Sequence, residues 1–275
     1  WSDKGRFIIT NVKASFGESR WIGAITKADA HTPEGRIFHG SEMKKETVKA
    51  AWAAADSLSR KSIYVRTTFT SQQKKVKQAV VNICGLGLYE LSINGKKVGN
   101  SEFTPLISDY DKSVWYNTYD VTALLQKGNN AIGVLLGNGF YNVQGGRYRK
   151  LLISFGPPTV RLQLTIHYED GTSQTVASDK TWKYDFSPVT FNCIYGGEDY
   201  DARQEQKGWN MAKFNDTLWN QVVVQEGPKG VLRPQIAAPV AIMEHYSPIS
   251  ATHLPDSLLA AASKSTKRKV DASAI

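Results

Sequence analysis

Two stretches of this chain alternate apolar and polar residues with a period of two, and each stops at a dipeptide that reverses the backbone. In residues 88–93, Tyr89, Leu91 and Ile93 point one way, and Asn94-Gly95 follows, the pair a type I′ hairpin turn needs because both central residues take positive φ. In residues 161–168, Leu162, Leu164, Ile166 and Tyr168 form a second inward row that turns at Asp170-Gly171 into residues 174–177. A period of two cannot line one face of a helix, whose period is 3.6. Further short strands are expected over residues 63–69, 76–84, 114–119, 131–136, 181–186 and 221–225, the spacing of an antiparallel sandwich. The expected fold class is all-β.

One segment breaks the pattern. Over residues 42–60, Val48, Ala51, Trp52, Ala55 and Leu58 recur at three and four, which predicts an amphipathic helix against the sheet. Asp120 is a good helix cap, but Gly128 limits any helix begun there to a short connector. From Pro228 onward, Pro234, Pro239, Pro248 and Pro255 interrupt the chain, and only residues 240–246 read as a strand. With 275 residues, 41% of them hydrophobic, the chain can bury one large sandwich with flanking pieces. No run approaches the roughly 20 apolar residues of a membrane helix. The chain opens at Trp1 without a leader, so a processed or cut chain is expected.

Lys and Arg total 34 against 25 Asp and Glu, a net charge of +9 that suits polyanions. The distribution argues against nucleic acid: Lys44-Lys45, Lys74-Lys75 and Lys96-Lys97 lie far apart, and the one cluster interleaved with an aromatic is Arg147-Tyr148-Arg149-Lys150. Cys84 and Cys193 have no metal-ligand spacing and read as buried thiols, with a disulfide open in an oxidising compartment. The sequence has no GxSxG, HExxH, Walker A or Rossmann glycine set, and Gly85-Leu86-Gly87 reads as a place where a strand bends. His31, His39, His167, His245 and His253 are scattered, so nothing nominates a nucleophile or a zinc site.

Three loops gather carboxylates, amides and aromatics: residues 108–112, 138–142 and 196–203. Loops at one end of a sandwich cluster, so these side chains can offer planar polar groups to sugar hydroxyls and a ring to the sugar's apolar face, or oxygens to calcium. The alternative is structural: Asp and Asn cap backbone amides in turns, and Tyr110 or Tyr200 can be core. Glu198 and Asp201 could form an acid–base pair, though turn carboxylates more often bond local amides or a neighbour such as Arg203.

The motifs at these positions resemble one family. Residues 89–95 (YELSING), Thr104-Pro105, Asp109-Tyr110, 116–122 (YNTYDVT), Leu124-Leu125 with Gly128-Asn129, 137–141 (GNGFY), Trp182-Lys183, 198–203 (EDYDAR) and Trp219 are similar in order and spacing to the amino-terminal region of bacterial α-L-rhamnosidases. Trp21-Ile22-Gly23 resembles that family's lead-in, and the likeness covers roughly residues 20–246. The resemblance implies a jelly-roll β-sandwich like the galactose-binding domains. It divides the chain into the end of a small preceding β-sandwich over residues 1–19, the jelly roll over 20–235 and the start of a following β-sandwich over 236–275. It implies a noncatalytic accessory region of a glycoside hydrolase acting on terminal α-L-rhamnosyl residues. The inverting carboxylates then sit in a downstream (α/α)₆ barrel, rhamnose-containing glycans are the partners, and the location is secreted, periplasmic or at the cell envelope.

Some members of that family bind rhamnose through this jelly roll with help from calcium (Ca2+). The matching residues here are Asp109, Asp111, Asn138, Phe140, Tyr141 and Asn142, joined by Glu198, Asp199, Asp201 and Arg203 of the EDYDAR segment; Asp109, Asp111 and Asn138 are the calcium ligands so implied. Lys112 and Phe140 depart from the family pattern, in which an oxygen donor and a tryptophan would stand. The basic cluster at 147–150 hints at an acidic glycan such as a uronate-containing pectic chain. Three other readings stay open: a purely structural domain buttressing the barrel, an independent lectin-like module, and a small enzyme using Glu198 and Asp201.

Overall fold

The computed structural model describes residues 16–32, 36–38, 52–144 and 151–247. In chain order its elements are β1 (Trp21–Gly23), α1 (Lys27–Ala30), β2 (Arg36–Phe38), β3 (Ile63–Thr70), β4 (Val76–Leu86), β5 (Tyr89–Ile93), β6 (Lys96–Lys97), β7 (Ser101–Glu102), β8 (Ser113–Asp120), β9 (Asn129–Leu136) and β10 (Asn142–Val143). The later elements are β11 (Leu151–Ser154), β12 (Thr159–Tyr168), β13 (Ser173–Ala177), β14 (Lys183–Phe186), β15 (Val189–Cys193), β16 (Gly197–Tyr200), β17 (Asn220–Gln221), β18 (Val223–Gln225), β19 (Val231–Pro234) and β20 (Val240–Ala241). One sheet runs β18-β1-β12-β4-β8-β19 with β13 also on β12, and a second runs β17-β14-β3-β9-β5-β6. Neighbours in both are antiparallel except β19, which lies parallel to β8.

The alternation in the sequence explains why the sheets face each other. Leu162, Leu164 and Ile166 of β12 and Val81 and Ile83 of β4 meet Val65 of β3, Leu91 and Ile93 of β5, and Ile132 and Val134 of β9 in one buried cluster. Each such fully buried side chain contributes about 2 kcal/mol. The strands expected between residues 63 and 225 are present within a few residues, and Asn94 and Gly95 both take positive φ, 52° and 80°, as the hairpin requires. At the second hairpin only Gly171 does so, and Asp170 instead accepts bonds from the Thr172 amide and hydroxyl.

Asp170 also meets the Lys74 ammonium at 2.8 Å, and these donors, Lys74 foremost, bring its pKa down to about 2. The folded value lies below the unfolded carboxylate value of about 3.9, so this contribution to stability is full above that pH and is lost as pH falls toward 2. An NMR titration of the Asp170 carboxyl is expected to have its midpoint near the lower value; a midpoint at the unfolded value would show the cluster to be absent in solution.

Three expectations fall wholly or partly outside the described residues: residues 42–51 of the expected helix, the basic cluster at 147–150 and the segments 1–15 and 248–275. The described part of the first comprises Trp52, buried beneath Arg60 at 5.5 Å, and one 3₁₀ turn at Ser57–Arg60 capped by Asp56. The strand expected over 240–246 is limited to Val240–Ala241, which pairs with β7. Cys84 and Cys193 are buried free thiols. Gly87 does more than relax a strand: a Cβ there would lie 2.0 Å from the Asn138 carbonyl, so glycine lets the loop after β9 approach the end of β4. By contact, residues up to Ala241 form one unit and those from Ile242 a second.

The strands of the two sheets are also covered on their outer faces. On the second sheet, residues 201–219 form a strap whose Trp209 stacks on Tyr64 at 4.0 Å, while Trp219 and Phe214 flank Arg66. On the first, Cys84 and Leu86 of β4 lie under Phe16, Trp21, Tyr110, Tyr116 and Tyr141. That second cluster positions the site.

Candidate functional site

The loop before β8 is built on Asp109, whose carbonyl accepts the amides of both Lys112 and Ser113 at 2.8 Å. This tight turn points Asp111 to solvent and drives the Tyr110 ring inward. There Tyr110 meets Tyr141 edge-on at 5.2 Å and Phe155 at 5.0 Å, while Tyr141 stacks on Phe155 at 5.7 Å. Burial pushes the hydroxyl pKa of both tyrosines well up, with Asp111 adding to the effect at Tyr141, so both stay protonated hydrogen-bond donors at physiological pH.

These three rings floor a cleft of about 690 Å³. Its walls come from Thr26, the N-cap of α1, and Lys27 within it, the Gly156-Pro157 turn, Gln225 at the end of β18 and Glu226 to Lys229 beyond it. Lys27, Lys229, Asp111 and Glu226 all line it, so it offers donors and acceptors together rather than a field of one sign. Gln225 Nε2 is buried with no hydrogen-bond partner among the described residues. Such a donor is rare in a folded protein and costs about 1–3 kcal/mol until something accepts from it.

Of the residues nominated from the sequence, the cleft gathers Asp111 and Tyr141. Asn138 and Asn142 are both fully buried, with Asn142 Nδ2 donating to Ser59 O at 2.6 Å and Asn138 Oδ1 at 2.8 Å, and Asn138 Nδ2 donating to Arg60 O at 2.9 Å. Their amides hold the 138–142 loop to the turn at Ser57–Arg60, so they present nothing to a sugar. Phe140 is half-buried and edge-on to Tyr195 at 5.8 Å.

Asp109 Oδ2 pairs with Lys112 Nζ at 3.2 Å, and Asn138 Oδ1 is taken by the Asn142 amide. Among the described residues no three His, Cys, Asp or Glu side chains are grouped to hold a metal.

Glu198 and Asp199 lie on the separate β15–β16 hairpin. Asp201 caps the following turn: its oxygens take Arg203 Nε at 2.8 Å, Arg203 Nη2 at 2.9 Å and Gln204 Nε2 at 3.1 Å. Arg203 beside it holds its pKa far below the carboxylate range, which leaves no proton for a general acid. Sequence reasoning passed over Phe155, Lys27, Gln225 and Lys229; an aromatic ending a strand before Gly156-Pro157-Pro158, and the break in pattern at Pro228, were the available signals.

Comparison with known proteins agrees with this architecture. Residues 74–244 match the family model described as the α-L-rhamnosidase N-terminal domain. An α-L-rhamnosidase of Formosa agariphila is 39% identical over 211 residues, 75% of this chain and 21% of that protein. One from Streptomyces avermitilis is 33% identical over 222 residues, covering 75% of this chain and 20% of that protein. The structure of α-L-rhamnosidase from Dictyoglumus thermophilum superposes with a TM-score of 0.65 at 34% identity, over 85% of this chain and 24% of that one. The Streptomyces avermitilis enzyme complexed with L-rhamnose superposes with a TM-score of 0.62 at 32% identity, over 70% and 19%. The chain spans about a fifth of the length of the curated relatives it matches. The all-β sandwich, its motifs in register and these matches agree: the chain belongs to the α-L-rhamnosidase N-terminal domain family.

Proposed function

We propose that this chain is the carbohydrate-binding accessory region of an α-L-rhamnosidase, taking a rhamnosyl unit of a glycan in the cleft floored by Tyr110, Tyr141 and Phe155. The observation that carries this reading is a cleft of about 690 Å³ lined by three aromatic rings together with Asp111, Lys27 and Lys229. The sugar ring's apolar face would lie over the aromatic floor, and Asp111 and Lys229 would bond the outer hydroxyls. Binding would be selective through the few polar groups and weak through the open rim, with hydrolysis carried out by the larger part of the polypeptide that the relatives possess. The jelly roll over residues 20–235 would be the binding module, secreted or held at the cell envelope where polymeric rhamnosides are met.

Calorimetric titration with L-rhamnose and a rhamnosyl oligosaccharide tests the proposal. Saturable binding is expected that Asp111→Ala weakens about tenfold, a loss of about 1.4 kcal/mol, with the unfolding midpoint unchanged because the Asp111 side chain is exposed. Silence with both ligands from a folded chain would sink it.

A further inference from the structure

We propose that a groove beside the end of β8 is a second binding site of this domain, for a single ring of a neutral saccharide. It shares no lining residue with the cleft over Tyr110, Tyr141 and Phe155, and it stands or falls without that cleft.

The groove exists because one strand stops short. Residues 117–120 of β8 pair with β4, and the next residue, Val121, donates its amide to Ala79 O at 2.9 Å. Backbone groups alternate in direction along a strand, so residues 117, 119 and 121 bond toward β4 while 116 and 118 face away from it. On that far side β19 ends at Pro234 opposite Tyr116, and Gln235 makes the last bond, to Tyr116 O at 2.9 Å. The amide and carbonyl of Thr118 come next in the row, where no strand among the described residues meets them. They open instead on a groove of about 300 Å³.

The lining decides the ligand. In a chain of net charge +9, none of the described residues around this groove is charged. An ion entering it would give up hydration with no opposite charge to replace it. What the groove supplies is hydrogen bonding, from the hydroxyls of Ser101 and Thr118, the Thr118 backbone and the Asn117 amide. Asn117 Oδ1 already accepts the Tyr89 hydroxyl at 3.0 Å, which leaves Nδ2 to donate. Apolar surface comes from the exposed rings of Pro234 and Pro239 and from half-buried Tyr119. A pyranose has the matching make-up, with hydroxyls that both donate and accept and CH faces that pack on rings. The volume lies at the lower end of the roughly 300–1,000 Å³ of small-molecule sites, which suits one sugar ring. Within the groove one residue presents its backbone pair, too short a ladder for an added peptide strand.

The wall is fixed in advance. Gln235 Oε1 accepts the Leu106 amide at 3.1 Å and Nε2 donates to Ala237 O at 3.3 Å, so the segment that closes the groove is held before any ligand arrives. The position also matters for a polymer. β8 and β19 run side by side from Ser113 and Val231 to Tyr116 and Pro234, with Asp111 and Lys229 of the cleft before that ladder and Thr118 and Gln235 of the groove after it. At about 3.3 Å per residue the two sites lie roughly 20 Å apart, and a glycan reaching both would gain affinity without any new contact.

Titration of the ¹⁵N-labelled chain with L-rhamnose, D-galactose and D-glucose, followed through its amide resonances, tests the site. Saturating shifts are expected at residues 117–119 and 235–237 with at least one of these neutral sugars, and D-galacturonate should bind there at least tenfold more weakly. Asn117→Asp keeps an acceptor for Tyr89 but removes the donor, and should weaken binding about tenfold. Ala237→Trp should fill the groove and abolish those shifts at an unchanged unfolding midpoint, since Ala237 is exposed, while shifts at Asp111 and Lys229 persist. No shift at 117–119 with any of the three sugars, from a folded chain, would overturn the proposal. So would groove shifts that survive Ala237→Trp, or that D-galacturonate produces as strongly. Shifts confined to the groove would uphold it and sink the cleft, and shifts confined to the cleft would do the reverse.

Discussion

Asp216→Ala is expected to lower the unfolding free energy by about 3–5 kcal/mol, read from the midpoint of urea denaturation. Arg66 sits on the outer face of β3 with its side chain 1% exposed, covered by the strap that carries Trp209, Phe214 and Trp219. Its guanidinium pairs with Asp216, donates to Met211 O at 3.0 Å, and lies 5.4 Å from the Phe214 ring and 6.0 Å from that of Trp219. Burial lowers its pKa, but a guanidinium keeps its proton at any pH a protein survives, so the charge stays when its partner is removed. Asp216 also takes Lys183 Nζ at 2.9 Å, but that ammonium is 30% exposed and keeps the Asp216 carbonyl, so the truncation strands Arg66. Replacing the buried pair by apolar residues, Arg66→Met with Asp216→Leu, should recover most of the loss, because shape is kept and no charge is left in the dry site. A cost below about 1 kcal/mol for Asp216→Ala would mean that solvent already screens the pair, as at an exposed bridge, and that aromatic stacking alone holds the strap.

The strap also separates what the sequence could tell from what it could not. Strand positions were legible because each inward row repeats every second residue and ends at a residue whose backbone must turn: Leu162, Leu164 and Ile166 could face only one way. The covering of the outer faces was not legible. Tyr64 and Arg66 alternate with Ile63 and Val65 as an exposed row would, and only the strap from 130 residues or more downstream buries them. The same limit governs the site. Asp111 and Tyr141 were identifiable from local loop composition, but Phe155, Lys27 and Gln225 reach the cleft from three other parts of the chain, and no periodicity links them. Local composition also could not distinguish a ligand amide from a bracing one. Asn138 and Asn142 have the same residue type and loop setting a sugar site would use, and only the carbonyls of Ser59 and Arg60, remote in sequence, decide their role.

That distinction gives the second large effect. Asn142→Ala is expected to cost about 3 kcal/mol in the same denaturation measurement, because a fully buried amide that satisfies three groups would be lost. Nδ2 donates to Ser59 O at 2.6 Å and Asn138 Oδ1 at 2.8 Å, and Oδ1 accepts the Ser154 hydroxyl at 2.9 Å. Ser59 O and Asn138 Oδ1, both in fully buried residues, cannot turn to water without opening the contact between the 138–142 loop and the turn at Ser57–Arg60. Each orphaned group costs about 1–3 kcal/mol, and partial collapse around the missing side chain keeps the sum near the lower bound. The functional consequence is indirect: the brace fixes the segment that carries Tyr141, so sugar affinity should fall only as far as that ring loses its place beside Tyr110 and Phe155. Asp111→Ala has the opposite signature, lost affinity at unchanged stability. An Asn142→Ala chain that kept its unfolding midpoint and lost sugar binding would make Asn142 a ligand after all, and the cleft over Tyr110, Tyr141 and Phe155 would then be the wrong site.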